Sequence, residues 1–460
     1  MGDGLALSQQ VPGPEKEHAP DAPRMPIARA VRQPFVPFLV FATVLLLVFV
    51  VAFVGSLPVA LTPTNTPLAN MPTWPLQAPG NQALSLLSLP GTQDILYTEQ
   101  DGIYMARAID SATNPSAPRQ LDTPGYIYNR ALPPRLTPHG EILYSGDGLW
   151  LFDLASGQSR QIASLPRDQV ITSVVLSDDG SMLSWSSSPK VGPGTIRVYA
   201  GLLAQTSVVY QQEASACPCM RAFAFLHRDG AQAHRQLLLT NSRGDPRAVR
   251  FGLWSLDLDD AAASPQQLLP GNGLQGPLAL AESGNMLLYS SYEGFVPAPI
   301  DGSAPSDISS LSYANSLLLT TIAAAPLQLR KAQTLLPEQG ELSNSASYHW
   351  VATPRFTPDG QKLVYIEFSS DTHYPFARHS ALYSVQIHGS GAQLQAQKPQ
   401  LLTTASARYI ELGGWLNDHI LTFYADHALY ALDIQQGAIA HMVSTDAYAH
   451  IFATMPARQA

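Results

Sequence analysis

The chain has 460 residues, of which 45% are hydrophobic, 13% are charged and 38 are proline, and its net charge is −9. This composition excludes a disordered chain and favours an all-β fold with many turns. The acidic balance argues against nucleic acid as a partner. The only cysteines are Cys217 and Cys219, too few for disulfides to hold the fold together.

The N-terminal part of the chain predicts a tail, a membrane anchor and a spacer. Residues 1–33 are rich in proline and polar groups, which predicts a disordered cytoplasmic tail. Residues 34–61 predict one transmembrane helix, a signal anchor, because the sequence is apolar and uncharged from residue 35 to 61 and is long enough to cross a lipid bilayer. Prolines recur through residues 62–82, which predicts an extended spacer between membrane and domain.

Charges around the apolar segment predict its orientation. Arg24, Arg29 and Arg32 precede it, whereas the next charged residue after it is Asp94. The positive-inside rule therefore places the N-terminus in the cytoplasm and the rest of this single-pass protein outside the cell membrane. A signal peptide cleaved near Val54–Ser56 is the alternative.

A turn followed by a strand recurs along the rest of the chain. Its clearest copy is Thr357–Tyr365, where Pro358, Asp359 and Gly360 favour a tight turn. Both faces of the following strand carry apolar residues, which suits a strand packed between two sheets. Related copies begin at Pro90, Thr137, Ser177, Glu282 and Leu416.

A second strand follows many of these copies and ends in an Asp or Gly turn. The clearest examples are Gly148–Gly157, Gly252–Leu258, Ala381–Val385 and Ala428–Gly437. A pair of strands that recurs with a period of roughly 40 to 75 residues is typical of a β-propeller.

The repeat divides the ectodomain, residues 83–455, into seven predicted blades, with six or eight as alternatives. The predicted blades are residues 83–124, 126–168, 170–213, 220–271, 276–340, 350–404 and 408–445. Residues Ala447–Met455 are expected to add a strand that closes the ring onto the first blade, or else to fray as a terminus.

The unit resembles the TolB-like, WD40-like (PD40-type) β-propeller repeat of bacteria, which centres on a Ser/Thr-Pro-Asp-Gly turn before a strand. Thr357–Gly360 matches that turn in full, whereas the copy at Thr137 lacks the Asp and the copy at Ser177 lacks the Pro. The resemblance spans residues 84–445 and implies a central funnel with loops where a partner could bind. Members of that family serve as binding scaffolds, complex components and accessory domains, so it implies no particular activity.

No sequence motif identifies a catalytic, cofactor-binding or metal-binding residue, and no cofactor is expected. Gly271–Gly276 reads G-x-G-x-x-G, but Pro277 follows and the next stretch is strand-like, so a turn between blades is predicted. Ser177–Trp185 is similar to the Asp box of sialidases, but its spacing is wrong, and that box is a structural turn. The repeated aromatics are interpreted as core packing; they are Trp150, Trp254, Tyr383 and Tyr430.

Three irregular segments interrupt the repeat and are the places to seek a ligand site: residues 214–220, 297–313 and 371–379. In the first, Cys217 and Cys219 predict a local disulfide, inert thiols, or a soft-metal site with His227 and His234. The last belongs to a polar connection that holds acidic, histidine and aromatic side chains. These are Asp371, His373, Tyr374, Phe376, His379 and His388, which predict a polar loop or a metal or ligand site.

These observations predict a membrane-anchored, extracytoplasmic β-propeller that acts as a non-catalytic binding or scaffold module for an unknown protein or glycan ligand. One alternative is a propeller enzyme, a polysaccharide lyase or hydrolase, whose acid and base converge in the central funnel from separate blades. Another is a sensor that signals through the helix to residues 1–33.

Overall fold

The computed structural model describes residues 74–80, 82–89, 91–108, 117–214, 219–226, 235–241, 251–273, 277–281, 285–290, 313–314, 316–324, 327–337, 347–371, 379–405 and 410–456. They belong to one structural unit, Pro72–Ala460. The predicted tail and transmembrane helix, residues 1–61, lie outside this set. Within it, no helix is long and apolar enough to cross a membrane.

Seven antiparallel sheets confirm the prediction of an all-β propeller with seven blades. Blade 1 contains His450–Pro456, Gln93–Glu99, Gly102–Ala108 and Arg119–Gln120. Blade 2 contains Arg135–Leu136, Glu141–Ser145, Gly148–Asp153 and Gln158–Ser164. Blade 3 contains Gln169–Leu176, Met182–Pro189, Thr195–Leu202 and Gln205–Glu213. Blade 4 contains Met220–Leu226, Gln236–Asn241, Phe251–Asp257 and Gln266–Gly273.

The remaining blades carry extra short strands. Blade 5 contains Pro277–Leu280, Met286–Tyr289, Leu317–Ala324, Leu327–Leu329 and Gln333–Leu336. Blade 6 contains Ser347–Phe356, Lys362–Asp371, His379–His388 and Gln400–Ala405, with Leu76–Gln77, Tyr313–Ala314 and Gln395–Ala396 added, and a 3-10 turn at Gly391–Gln393. Blade 7 contains Ile410–Trp415, Ile420–Ala425, Ala428–Asp433 and Ala438–Ser444, with Ser85–Leu86 added in parallel.

The ring is closed by its C-terminal strand. His450–Pro456 pairs with Gln93–Glu99 and so becomes the innermost strand of blade 1, which confirms the predicted closing strand. The chain that precedes blade 1 runs along the outer edges of two other blades: Leu76–Gln77 pairs with blade 6 and Ser85–Leu86 with blade 7. Leu76–Gln77, which lies in the predicted spacer, therefore covers an edge of blade 6 that would otherwise be open to pairing with another chain.

Each junction between neighbouring blades holds one hydrophobic cluster, and the described residues form seven such clusters. The strand after the Thr357 turn shows why. Leu363 and Tyr365 pack toward blade 5, whereas Val364 and Ile366 pack toward blade 7, because successive side chains of a strand point to opposite faces. Apolar residues on both faces are therefore a requirement of the propeller.

The first main strand of each blade lies at the side of the central channel, and in blade 6 the short strand Tyr313–Ala314 pairs with part of its inner edge. First strands of neighbouring blades contact one another, for example Ile410–Trp415 with His450–Pro456 and with Ser347–Phe356. In six blades this strand carries a register shift against its neighbour. Such bulges bend a strand and re-aim its side chains, and they are common at barrel rims and next to functional sites.

Candidate functional site

The innermost strands carry a charge balance opposite to that of the whole chain. They contain Arg135, Arg221 and Arg355 but only one acid, Glu411, and no lysine or aspartate. The full sequence has 26 basic and 35 acidic residues. The few charges on the innermost strands are therefore mainly positive, although the chain as a whole is acidic.

Glu411, on the innermost strand of blade 7, is the centre of a group of four side chains that we name the closure cluster: Arg130, Glu411, Tyr448 and His450. Nδ1 of His450 lies 2.8 Å from one carboxylate oxygen of Glu411, and Arg130 donates to the other at 3.1 Å. Tyr448 donates its hydroxyl to that second oxygen, and its ring lies 4.8 Å from the guanidinium carbon of Arg130. The cluster joins blade 7, the closing strand and the connection into blade 2.

The closure cluster stabilises Glu411 as a buried anion. Burial alone would raise the pKa of Glu411, but His450, Arg130 and Tyr448 outweigh it and lower the pKa to about 2. Burial and the negative charge of Glu411 raise the pKa of Tyr448, so its phenol keeps the proton that it donates. Because a carboxylate only accepts, Nδ1 of His450 carries a proton, and within the described structure its Nε2 has no hydrogen-bond partner.

Arg355 reaches the channel from a bulge in blade 6. The register shifts between Ala352 and Arg355, and Thr353 there has φ of 44°, a left-handed value that is strained for a β-branched residue. Thr353 Oγ1 accepts a hydrogen bond from the backbone of Leu412 at 3.3 Å. The Arg355 guanidinium donates to the carbonyl oxygens of Gly413 at 3.1 Å and Leu412 at 3.3 Å, so backbone dipoles, not a carboxylate, hold it.

Arg135 opens the innermost strand of blade 2 and makes no hydrogen bond or ion pair with the described residues. The residue is exposed to solvent. Partial desolvation by neighbouring protein atoms lowers the pKa of its guanidinium, and the positive charge of Arg355 lowers it further. Blades 2 and 6 are separated by blades 1 and 7. Two side chains from these blades can interact only across the channel, so we name Arg135 and Arg355 the channel arginines.

The residues singled out by sequence mostly build the scaffold. Thr357 Oγ1 donates to Asp359 at 2.5 Å and accepts from the Lys362 backbone at 2.9 Å, which explains the turn without a ligand. The repeated aromatics pack as interpreted. They form stacked cross-strand pairs with centroid distances of 6.4 Å for Tyr144–Trp150, 5.6 Å for Tyr365–Tyr383 and 5.2 Å for Phe423–Tyr430, while Trp254 lies in the cluster between blades 3 and 4.

The irregular segments do not come together as a site among the described residues. His379 and His388 occupy opposite ends of one ten-residue strand, about 30 Å apart at strand rise, and His388 pairs with Gln397 at 3.0 Å. A single metal site holding both histidines is therefore wrong. The described residues contain no cluster of three potential metal ligands from His, Cys, Asp and Glu. Asp371 ends the preceding strand, and residues 372–378, including His373, Tyr374 and Phe376, lie outside the described set.

Two further segments are settled in part. Cys219 is disulfide-bonded, which excludes a free thiol there; Cys217, His227 and His234 lie outside the described residues. Gly271–Gly273 end a strand and Pro277 begins the next one, so the described part of the G-x-G-x-x-G segment connects two strands, as predicted for a turn between blades. Of residues 297–313, only Tyr313 is described, in a short strand that pairs with the innermost strand of blade 6.

Sequence reasoning missed the closure cluster and the channel arginines. A local signal existed for the arginines, because Pro134-Arg135 and Pro354-Arg355 precede the Thr-Pro turns of two repeats at the same position. No local signal marks Glu411 or His450, whose contacts depend on ring closure.

No protein-family model and no curated protein sequence matches the chain. Among solved structures, an oligogalacturonate lyase in complex with manganese is 12% identical with a TM-score of 0.44, covering 79% of this chain and 87% of that one. The periplasmic gluconolactonase PpgL of Pseudomonas aeruginosa is 13% identical with a TM-score of 0.45, covering 79% and 99%. A putative TolB from Agrobacterium tumefaciens is 14% identical with a TM-score of 0.34, covering 68% and 91%. Likeness at this level assigns no activity to this chain.

Proposed function

We propose that the protein is a membrane-anchored, extracytoplasmic binding module, with TolB-like repeats, that receives a protein or glycan ligand in its central channel. The observation that supports this most is the convergence of Arg130, Arg135, Arg355, Glu411 and His450 from non-neighbouring parts of the sequence around one channel. The anchor rests on the apolar sequence of residues 35–61.

The channel can be blocked at one position with little harm to the fold. Gly414 lies on the innermost strand of blade 7, and a Cβ added there would meet nothing within 4 Å. A Cβ on its neighbour Gly413 would meet Thr422 and Ile451, so the open side of the strand is the one that Gly414 faces. Gly414→Trp should therefore fill the channel, and Val191→Trp, at a surface residue that is 90% exposed, is the matched control.

The test compares the full chain, Gly414→Trp and Val191→Trp for binding to a glycan array and to cell-envelope proteins by cross-linking. We expect Gly414→Trp to lose at least tenfold in binding and Val191→Trp to retain it. Equal binding by all three would show that the ligand does not use the channel and would overturn the proposal.

Anchoring and orientation have a separate test. A topology reporter fused after Ala460 should be active only outside the cytoplasm. Reporter activity inside the cytoplasm would contradict the proposed location.

An enzyme is the second candidate function, and the closure cluster is the observation that favours it. Glu411 accepts the hydrogen bond from Nδ1 of His450, so Nε2 is the ring atom that can exchange a proton with a substrate. If the full chain degraded a polysaccharide, and His450→Gln abolished that turnover while binding persisted, the non-catalytic function would be wrong.

A further inference from the structure

The channel arginines occupy the same position in two copies of the repeat. Arg135 pairs with Leu143 and Arg355 with Val364, each one residue before the end of its innermost strand. Each follows a proline and precedes a Thr-Pro turn. The repeat therefore delivers two guanidinium groups to a similar depth on different sides of one channel.

No carboxylate in the described structure is bonded to either guanidinium. Arg135 has no hydrogen-bond or ion-pair partner, and Arg355 donates only to the carbonyl oxygens of Pro354, Leu412 and Gly413. The negative charge of Glu411 acts on Arg355, but His450, Arg130 and Tyr448 already bind the two oxygens of Glu411. Two like charges thus face one channel with no carboxylate bonded to either among the described residues, an arrangement that costs free energy.

We propose that Arg135 and Arg355 form a binding site for an anionic group, a carboxylate, sulfate or phosphate, which bridges the two guanidiniums across the channel. Guanidinium groups present planar, paired donors that match the oxygens of such anions, and a bound anion removes the repulsion between them. The free donors of Arg135 supply new bonds, while Arg355 is held in place by the backbone of blade 7. The inference rests on the proposed function, because it names the chemical class that the channel accepts.

Binding is measured by thermal unfolding and calorimetry of the full chain in mild detergent, at constant ionic strength. The probes are inorganic phosphate, inorganic sulfate and glucuronate, with glucose as the neutral control. We expect at least one anion to raise the unfolding temperature in a saturable way, whereas glucose has no effect. Preference for glucuronate over the inorganic ions would identify an acidic sugar as the source of the anionic group. Preference for phosphate or sulfate would identify a free ion or its ester.

The decisive variant is Arg135→Gln, since Arg135 supports no other described residue. Without a probe it should unfold at the same or a higher temperature than the natural chain, because a like charge has been removed. Its affinity for the anion should fall at least tenfold. Arg160→Gln is the control, because Arg160 is an exposed arginine on the outermost strand of the same blade, paired with Glu141 at 3.1 Å. Anion affinity unchanged in Arg135→Gln, or lost equally in Arg160→Gln, would overturn the site.

The two proposals fail in different ways. If anion binding is saturable and depends on Arg135, but Gly414→Trp does not affect glycan or protein binding, the anion site is supported. The proposal that the ligand binds in the channel is then wrong. If Gly414→Trp abolishes ligand binding but no anion changes the unfolding temperature, the binding module is supported and the anion site is wrong.

Discussion

Glu411→Gln should destabilise the propeller at the junction where its ring closes. Gln keeps the shape of the side chain but removes the negative charge that His450, Arg130 and Tyr448 share. Those groups would then remain in an enclosed space without their common counter-ion. Removing one partner of a buried ion pair costs more than the pair contributes, because the other partner stays desolvated.

The magnitude follows from the pKa of Glu411. Its fall from an ordinary value of 4.5 to about 2 is equivalent to about 3 kcal/mol of unfolding free energy at neutral pH. Because the pKa is lower in the folded state, this stabilisation is present above pH 4.5 and is lost as the pH falls toward 2. The difference between the natural chain and Glu411→Gln should therefore narrow as the pH falls from 4.5 to about 2.

The assay is equilibrium urea unfolding of the full chain in mild detergent, followed by tryptophan fluorescence at several pH values. Glu367→Gln is the matched control, since burial raises the pKa of Glu367 and its charged form is disfavoured in the fold. At pH 7 that variant should be as stable as the natural chain or more so. A loss of less than about 1 kcal/mol in Glu411→Gln, or one that does not change with pH, would refute the assigned role of the closure cluster.

Three further predictions concern the scaffold. Gly360→Ala should lower the free energy of unfolding in urea by about 1–2 kcal/mol, more than the control Gly157→Ala. The backbone φ is 68° at Gly360 and 69° at Gly157, but only at Gly360 would an added Cβ meet another atom, Met286 Cε at 3.0 Å. Tyr365→Ala should cost about 3–5 kcal/mol, measured by thermal unfolding, because its side chain is 1% exposed; a loss under 1 kcal/mol would contradict the packing. Ile451→Asp places an unpaired charge in the closing strand and should make the ring sensitive to trypsin, whereas resistance equal to the natural chain would argue against closure by this strand.

The architecture could be predicted because its determinants are local. The Thr357 turn is fixed by the conformational limits of Pro358 and Gly360 and by hydrogen bonds within six residues, so it reads directly from the sequence. Apolar residues on both faces of the following strand require a packed sheet on each side. Repetition of that requirement gives a ring, and the structure confirms seven blades and the closing strand.

The site could not be predicted in the same way. Arg130 and Glu411 are 281 residues apart and meet only because the closing strand brings blade 7 beside the connection into blade 2. The segments that looked irregular in sequence drew attention to His379 and His388, which one strand holds far apart. An irregular sequence segment shows where the chain departs from the repeat. Which side chains meet at the channel depends instead on which strand of each blade is innermost.

The amino-acid sequence was enough to predict the turns, the strands that follow them and the two-sided packing, because each depends on backbone limits and on side chains within a few residues. It favoured seven blades without excluding six or eight. Which charges meet became visible only in the folded ring. Closing the ring places Glu411 in a cluster that compensates its burial, and it sets Arg135 and Arg355 on different sides of the channel with no acid of the described residues bonded to either. Electrostatic interactions depend on distance through space, so residues at equivalent places in distant repeats acquire their chemistry only after the ring has closed.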